Sequence, residues 1–132
     1  MIVYVDTSAY LKLIVQEAET EALRIALTRE RAAGAVVMSS ILLLTELHRA
    51  AWRLGVDRIR IDQELKKVSL LRPNDATFER AGGLPSPHLR SLDALHLCAA
   101  IECGATVMYV YDERLRAAAS DLGLSVSAPG RA

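Results

Sequence analysis

The sequence predicts an α/β protein with a small twisted parallel sheet of about four or five strands and helices on both faces. Two observations lead to this fold class. Short runs of β-branched and other apolar residues alternate with helical patterns along the whole chain, which is typical of strand–helix–strand units. These runs carry no polar alternation, so each strand is expected to be buried on both faces, as strands of parallel sheets are.

The length and composition indicate one compact unit. The 132 residues suit a single core, and no repeat, linker or low-complexity segment divides them, so we expect one domain over 1–132. Cys98 and Cys103 lie in one predicted helix and are expected to be reduced core residues. No apolar run is long enough to cross a membrane, and no basic region precedes an apolar stretch at the N-terminus. We therefore expect a cytoplasmic protein.

The charge balance gives no electrostatic sign of a nucleic-acid binder. The chain has 16 basic and 16 acidic residues, and its net charge is zero. Neutrality does not exclude such a function, because acids that cluster at a metal are neutralised there. If four acids bind metal, the remaining surface has an excess of about four positive charges.

The first half of the chain begins with a short buried strand that ends at Asp6, after which Thr7 or Ser8 can cap a helix. Ser39 or Ser40 can cap a later, heavily apolar helix that Gly55 closes. The predicted elements in order are a strand at 2–5, a helix at 8–15, a helix from 17 to Gly34, a strand at 35–38 and a helix at 41–52.

The second half continues the alternation. Asp75 or Thr77 can open a short helix, and Ser91 can cap a nearly all-apolar helix that must lie deep in the core. The predicted elements are a helix at 61–68, a brief strand at 70–71, a helix ending at 82–83, a loop at 84–89, a helix at 91–101, a strand at 106–111, a helix at 115–122 and a strand at 124–126.

Four carboxylates stand at positions where burial is expected. Asp6 and Asp112 each follow a strand directly, Glu46 lies within an apolar helix, and Asp93 lies in the first turn of the most apolar helix. Three of them could be ordinary helix N-terminal acids, but Glu46 could not. An unpaired buried carboxylate is costly, and a hard divalent cation would satisfy all four. The carboxyl edge of a parallel sheet is also where such folds bind ligands.

These stretches resemble the PIN-domain nucleases, and within them the VapC-type toxins of toxin–antitoxin pairs. The matching segments are Val5-Asp6-Thr7-Ser8-Ala9 with Lys12, the helix acid Glu46, Arg90-Ser91-Leu92-Asp93-Ala94-Leu95-His96-Leu97, Tyr111-Asp112-Glu113-Arg114-Leu115, and Gly123-Leu124-Ser125-Val126 with Pro129-Gly130. The resemblance implies a PIN-like fold, a Mg²⁺ or Mn²⁺ site, endonucleolytic cleavage of RNA, and neutralisation by a small antitoxin. It also implies that the acidic quartet, Asp6, Glu46, Asp93 and Asp112, binds the metal and carries the catalysis, with Ser8 nearby.

Several other polar residues have open roles. Lys12 could lie near the site or on a solvated face, and Arg90, Arg114 and Arg116 could contact phosphate or simply be solvated. His96 is expected to be a core histidine bonded to backbone rather than a catalyst. The remaining histidines, His48 and His88, and Trp52, which is expected in the core or at an interface, carry no assigned chemistry.

The partners are expected to be RNA and an antitoxin, and the protein is expected to form a homodimer. Apolar side chains on two short helices predict a groove for an amphipathic antitoxin segment: Tyr10, Leu11, Ile14, Leu42, Leu43 and Leu44. Two other functions remain as alternatives. One is a non-catalytic PIN-like module that binds protein, and the other is a phosphoaspartyl hydrolase with Asp6 as nucleophile.

Overall fold

A single five-stranded sheet organises the protein. In a computed structural model that describes residues 1–131, the strand order is β3-β2-β1-β4-β5 and every strand pair is parallel. The strands are β1 (Ile2–Val5), β2 (Val36–Ser40), β3 (Ser69–Leu71), β4 (Val107–Tyr109) and β5 (Val126–Ser127). The predicted α/β class and parallel sheet are confirmed. Because β1 is central, the residue that follows it lies in the middle of the carboxyl edge.

Seven helices lie among residues 1–131. They are α1 (Thr7–Ile14), α2 (Thr20–Ala32), α3 (Leu42–Leu54), α4 (Arg58–Leu65), α5 (Asp75–Gly82), α6 (Ser91–Glu102) and α7 (Glu113–Asp121). Within that same range, no helix is both long and apolar enough to cross a membrane.

The alternation of side chains along β1 divides the core between the two faces of the sheet. Val3 and Val5 pack in one cluster with buried residues of α1, α2, α3 and α4. Tyr4 points to the opposite face and packs with residues of α6 and α7, among them Leu97 and Leu115. The predicted helices on both faces are therefore present.

Several helix starts differ from the sequence prediction by one or two residues. Asp6 itself caps α1, where Thr7 or Ser8 was expected, and Asn74 caps α5 in a capping box with Thr77. Helix α6 has Arg90 at its N-cap position without a side-chain bond, so Ser91 is its first residue and not its cap. Ser40 does accept a hydrogen bond from the amide of Leu42 at the start of α3, at 3.2 Å.

Helix α3 is amphipathic, although heavy burial was expected along its length. Leu43 and Leu47 are fully buried, whereas Leu44 is exposed and Trp52 is 78% exposed. The expectation that Trp52 lies in the core is wrong, and an interface role stays a prediction. The cause is the apolar run 41–44, which spans more than one helical face, so only part of it can face the sheet.

Candidate active site

Asp6 lies at the centre of the carboxyl edge, held by three hydrogen bonds. Its Oδ1 accepts from the amide of Ala9 at 3.0 Å, and the Ser8 hydroxyl donates to Oδ1 at 2.8 Å and to Oδ2 at 3.0 Å. Only 3% of the residue is exposed. Burial raises the pKa of Asp6 to about 6, although the neighbouring His96 imidazole and the bond from Ser8 oppose the shift.

Ser8 connects Asp6 to the end of the neighbouring strand. Its hydroxyl oxygen accepts from the backbone amides of Tyr111 at 3.0 Å and of Asp112 at 3.3 Å. Asp112 in turn caps α7, with its Oδ1 accepting from the amide of Leu115 at 3.0 Å. One hydroxyl therefore links the chain segments that carry two of the predicted acids.

Asp112 is exposed, which corrects the expectation that it is buried. Strand β4 ends at Tyr109, so two residues separate the sheet from Asp112. Val110 and Tyr111 also lie beyond the strand but are buried, so the apolar run 106–111 gives no sign that Asp112 is exposed.

Glu46 and His96 form a second polar group beside Asp6. The Thr7 hydroxyl donates to Glu46 Oε1 at 2.8 Å, and His96 Nε2 lies 2.7 Å from the same oxygen. On the other side of the ring, the Tyr4 hydroxyl lies 2.7 Å from His96 Nδ1. Burial of Glu46 opposes its ionisation, but the hydrogen bonds from His96 and Thr7 outweigh it and lower the pKa of Glu46.

His96 is buried as expected, but its partners are not backbone groups. The ring contacts the side chains of Tyr4, Glu46 and Thr7. The sequence predicts only a core position for His96 and a possible capping role for Thr7, and it assigns no role to Tyr4. One signal was available: His96 follows Asp93 by three residues, which puts both on the same side of α6.

Asp93 is partly buried in the first turn of α6. Burial raises its pKa, and the negative charge of Asp112 adds to the effect, while His96 and Arg90 oppose it. Glu46 also raises this pKa through its charge. Asp93 therefore lies within electrostatic range of two other predicted acids and of Arg90.

The four carboxylates gather at one edge of the sheet. As they are arranged across residues 1–131, no three Asp, Glu, His or Cys side chains lie close enough together to hold a metal ion. The chemistry of the donors still fits a hard cation, since carboxylate oxygens are what Mg²⁺ prefers. Burial raises the pKa of both Asp6 and Asp93 because it disfavours the ionised carboxylate, and a bound cation would offset that cost.

The predicted accessory residues divide into two groups. Arg90 and Arg114 are exposed, and Arg90 lies near enough to Asp93 to affect its pKa. Lys12 is only 7% exposed, so a solvated position for it is wrong. Its ammonium group pairs with Glu17 and with Glu19 at 3.2 Å.

Lys12 belongs to a cluster around Tyr111 that fastens the C-terminal segment. Its Nζ lies 4.8 Å from the centre of the Tyr111 ring, and the Arg131 guanidinium lies 5.5 Å from it. Tyr111 also donates from its hydroxyl to the carbonyl of Pro129 at 2.8 Å.

The two cysteines, Cys98 and Cys103, are free thiols, as predicted.

Comparison with known proteins defines the class. The PIN domain matches residues 3–121. Ribonuclease VapC46 of Mycobacterium tuberculosis is 37% identical over 130 residues, which is 96% of this chain and 97% of that protein. Ribonuclease VapC35 of the same species is 34% identical over 135 residues, covering 98% of each. The chain belongs to the PIN-domain family and, within it, to the VapC-type ribonucleases.

Two solved structures share the fold at lower identity. The crystal structure of Mycobacterium tuberculosis VapC20, described as a Sarcin-Ricin loop cleaving toxin, has a TM-score of 0.70 at 20% identity, covering 92% of this chain and 95% of that one. VapBC2 from Rickettsia felis, bound to a DNA fragment from its promoter, has a TM-score of 0.75 at 14% identity, covering 96% and 98%.

Proposed function

We propose that this protein is a metal-dependent endoribonuclease and the toxin of a type II toxin–antitoxin pair, acting through Asp6, Glu46, Asp93 and Asp112. The observation that carries the proposal is the gathering of the four acids at the carboxyl edge. There Ser8 links Asp6 to the segment of Asp112, and Glu46 is anchored by two donors. The relatives named as ribonucleases support the same activity.

The four acids would hold Mg²⁺ or Mn²⁺. When bound, such an ion stabilises negative charge on a phosphoryl oxygen and lowers the pKa of water. Asp6 is the best-ordered ligand, because the hydrogen bonds from Ser8 and Ala9 fix its carboxylate. Asp93 and Asp112 would complete the negative cluster from α6 and from the N-terminus of α7.

Glu46 is suited to a proton-handling role. Both of its hydrogen bonds from Thr7 and His96 go to Oε1, which leaves Oε2 to hold a water molecule and take its proton. The residue is partly exposed, so water can reach it. Arg90 and Arg114 are the exposed cations expected to contact RNA phosphates.

The geometry disfavours Asp6 as a nucleophile that becomes phosphorylated. The residue is 3% exposed, and both carboxylate oxygens accept hydrogen bonds from Ser8. A phosphorus centre with its oxygens is bulkier than a metal ion and has little room beside so buried a carboxylate, so this arrangement gives the phosphoaspartyl alternative no specific support.

The cleavage test uses purified protein, structured RNA substrates and Mg²⁺ or Mn²⁺. Asp6→Asn and Asp93→Asn should each lower cleavage by at least about a hundredfold while leaving the circular dichroism spectrum unchanged. Asp121→Asn, an exposed acid at the end of α7, is the matched control and should cleave like the wild type. A chelator should abolish the wild-type activity.

Two results would contradict the proposal. Cleavage that survives Asp6→Asn and Asp93→Asn would mean that the activity lies elsewhere in the chain or in a contaminant. A wild-type protein that binds its antitoxin but cleaves no RNA in the presence of metal would instead favour the non-catalytic protein-binding module.

We further propose that an antitoxin segment binds a groove on α3 and α4. The groove has a volume of about 570 Å³, and its lining residues are Leu44, Thr45, His48, Arg49, Ala51, Trp52, Val56 and Arg58. Its apolar floor and two exposed arginines suit an amphipathic segment with acidic flanks. Glu46 lies on the same helix but does not line this groove, and entry of a basic residue of the antitoxin into the acidic site stays a prediction.

The surface predicted from the sequence is partly corrected by this arrangement. Tyr10, Ile14 and Leu43 are buried in the core and cannot contact a partner, whereas Leu44 remains exposed at the groove. The homodimer stays a prediction, and sedimentation velocity on the purified protein measures it.

A further inference from the structure

A buried chain of polar side chains runs from the core to the candidate active site. The Tyr4 hydroxyl contacts His96 Nδ1 at 2.7 Å, and His96 Nε2 contacts Glu46 Oε1 at 2.7 Å. Tyr4 is fully buried and His96 is 2% exposed. The Thr7 hydroxyl supplies a second donor to the same Glu46 oxygen at 2.8 Å.

The chemistry of these groups fixes the direction of each hydrogen bond. An ionised carboxylate only accepts, so His96 must donate from Nε2 to Glu46. A phenol carries its proton at neutral pH, so Tyr4 donates to His96 Nδ1 when the imidazole has its proton on Nε2. The imidazole tautomer with its proton on Nε2 satisfies every contact, and both bonds to Glu46 point toward one oxygen.

We propose that His96 is a positioning residue, which holds the Glu46 carboxylate in its working orientation and acts on the reaction only through it. The inference rests on the proposed function of Glu46. A partly exposed glutamate has several rotamers, and fixing one of them costs conformational entropy. The buried imidazole of His96, which Tyr4 fixes through Nδ1, selects one rotamer of Glu46 before any ligand binds. The entropy cost of ordering Glu46 on binding is therefore smaller.

A purely structural role for His96 is the competing explanation, since a buried phenol also needs an acceptor. Two conservative variants separate these roles. In His96→Gln the side-chain amide nitrogen lies near the position of Nε2 and can still donate to Glu46. In His96→Asn the shorter side chain reaches only the position of Nδ1, so it can accept from Tyr4 but cannot reach Glu46.

The experiment measures RNA cleavage and, without RNA, Mn²⁺ binding by calorimetry. Changes in groups that orient metal ligands typically cost about 10- to 100-fold in metal affinity or activity. His96→Asn should therefore lower kcat by at least about tenfold with little change in KM for RNA, and should weaken Mn²⁺ binding. In His96→Gln, kcat and the affinity for Mn²⁺ should both stay within about threefold of the wild-type values.

A second pair covers the case in which His96→Asn does not fold. Thr7→Val removes the other donor to Glu46 Oε1, and Thr7→Ser keeps it, so only the valine variant should lose cleavage and Mn²⁺ affinity. Equal loss in the glutamine and asparagine variants, or no loss in either, would overturn the inference. If the wild type cleaves no RNA, the proposed function fails, while the Mn²⁺ titrations still test the positioning role.

Discussion

The burial of Asp6 sets the electrostatic character of the site. The residue follows the central strand, is 3% exposed, and has a pKa of about 6 in place of its ordinary value of 3.8. Its burial follows from its position, because α1 begins immediately after it and covers it. A carboxylate in this environment holds its proton at mildly acid pH and binds a cation better as the pH rises.

The raised pKa of Asp6 predicts a specific dependence of stability on pH in the absence of metal. The folded protein binds this proton more tightly than the unfolded chain, so the free energy of unfolding falls as pH rises from about 4 to about 6. Asp6→Asn has no such ionisation and can still cap α1. At pH 7 in chelator it should be more stable than the wild type by about 3 kcal/mol.

Thermal melts across this pH range check the prediction. The difference between Asp6→Asn and the wild type should vanish below about pH 4, where both side chains are uncharged. Asp121→Asn is the control and should follow the wild type throughout. A stability gain that stays constant with pH would show that burial does not raise the pKa of Asp6.

At the residue scale, the sequence singled out the four acids, whose role stays a prediction, but not the side chains that contact them. The position of Asp6 was predictable because it follows an apolar strand, and the contacts of Glu46 because a carboxylate inside an apolar helix needs a partner, whereas the exposure of Asp112 was not. The Thr7 and Tyr4 contacts depend on how α6 crosses the sheet at His96, and local sequence does not specify that crossing. Lys12 shows the same limit, because its partners at 17 and 19 belong to the turn before α2.

At the element scale, two glycines at helix ends should respond to alanine in opposite directions. Gly55 ends α3 with φ of 68°, in the left-handed region, and a methyl group there would meet no atom within 4 Å. Gly82 is the last residue of α5, has no positive φ, and also has open space around it. Space is therefore equal at the two sites, and only the backbone conformation differs.

Gly55→Ala should destabilise the protein by about 1 kcal/mol, because an alanine at positive φ is strained. Gly82→Ala should stabilise it by about 0.5 kcal/mol, since alanine restricts the unfolded chain and favours helix. Urea denaturation measures both changes. The same sign for the two variants would contradict the assignment of the left-handed helix end at Gly55.

The elements themselves were largely predictable, and their boundaries less so. Buried strands and helices alternate clearly, and glycines mark several helix ends, such as Gly55 and Gly123. The start of α5 at Asn74 was missed because Asp75 and Thr77 are equally good capping residues by type. The exposed face of α3 was missed because the run 41–44 is apolar on every side, so no polar stripe marks the solvent side.

At the scale of the whole molecule, charge and apolar surface are distributed unevenly. The net charge is zero, yet four of the 16 acids gather at one edge of the sheet, so the rest of the surface is basic in balance. The largest exposed apolar side chain, Trp52, stands at 78% exposure beside the groove on α3 and α4. Exposed tryptophan at a groove of this kind is typical of a surface that binds another protein.

The assembly with an antitoxin can be followed through that single tryptophan, the only one in the chain. An antitoxin gene is expected immediately upstream. Co-expression with its product should give one complex on size exclusion, and the Trp52 emission should shift to shorter wavelength as the ring leaves water. Trp52→Ala should weaken the complex by at least about 2 kcal/mol, the typical loss at a central interface tryptophan.

Phe78→Ala provides the matched control for this assembly. Phe78 is also a large exposed aromatic, at 53%, but it lies on α5 and does not line the groove. Phe78→Ala should leave the affinity for the antitoxin unchanged. If binding were non-specific, Phe78→Ala and Trp52→Ala would weaken the complex equally. A complex that forms normally with Trp52→Ala but not with Phe78→Ala would show that the antitoxin binds at α5 and not at the groove. Separate elution of the two wild-type proteins would contradict the proposed complex itself.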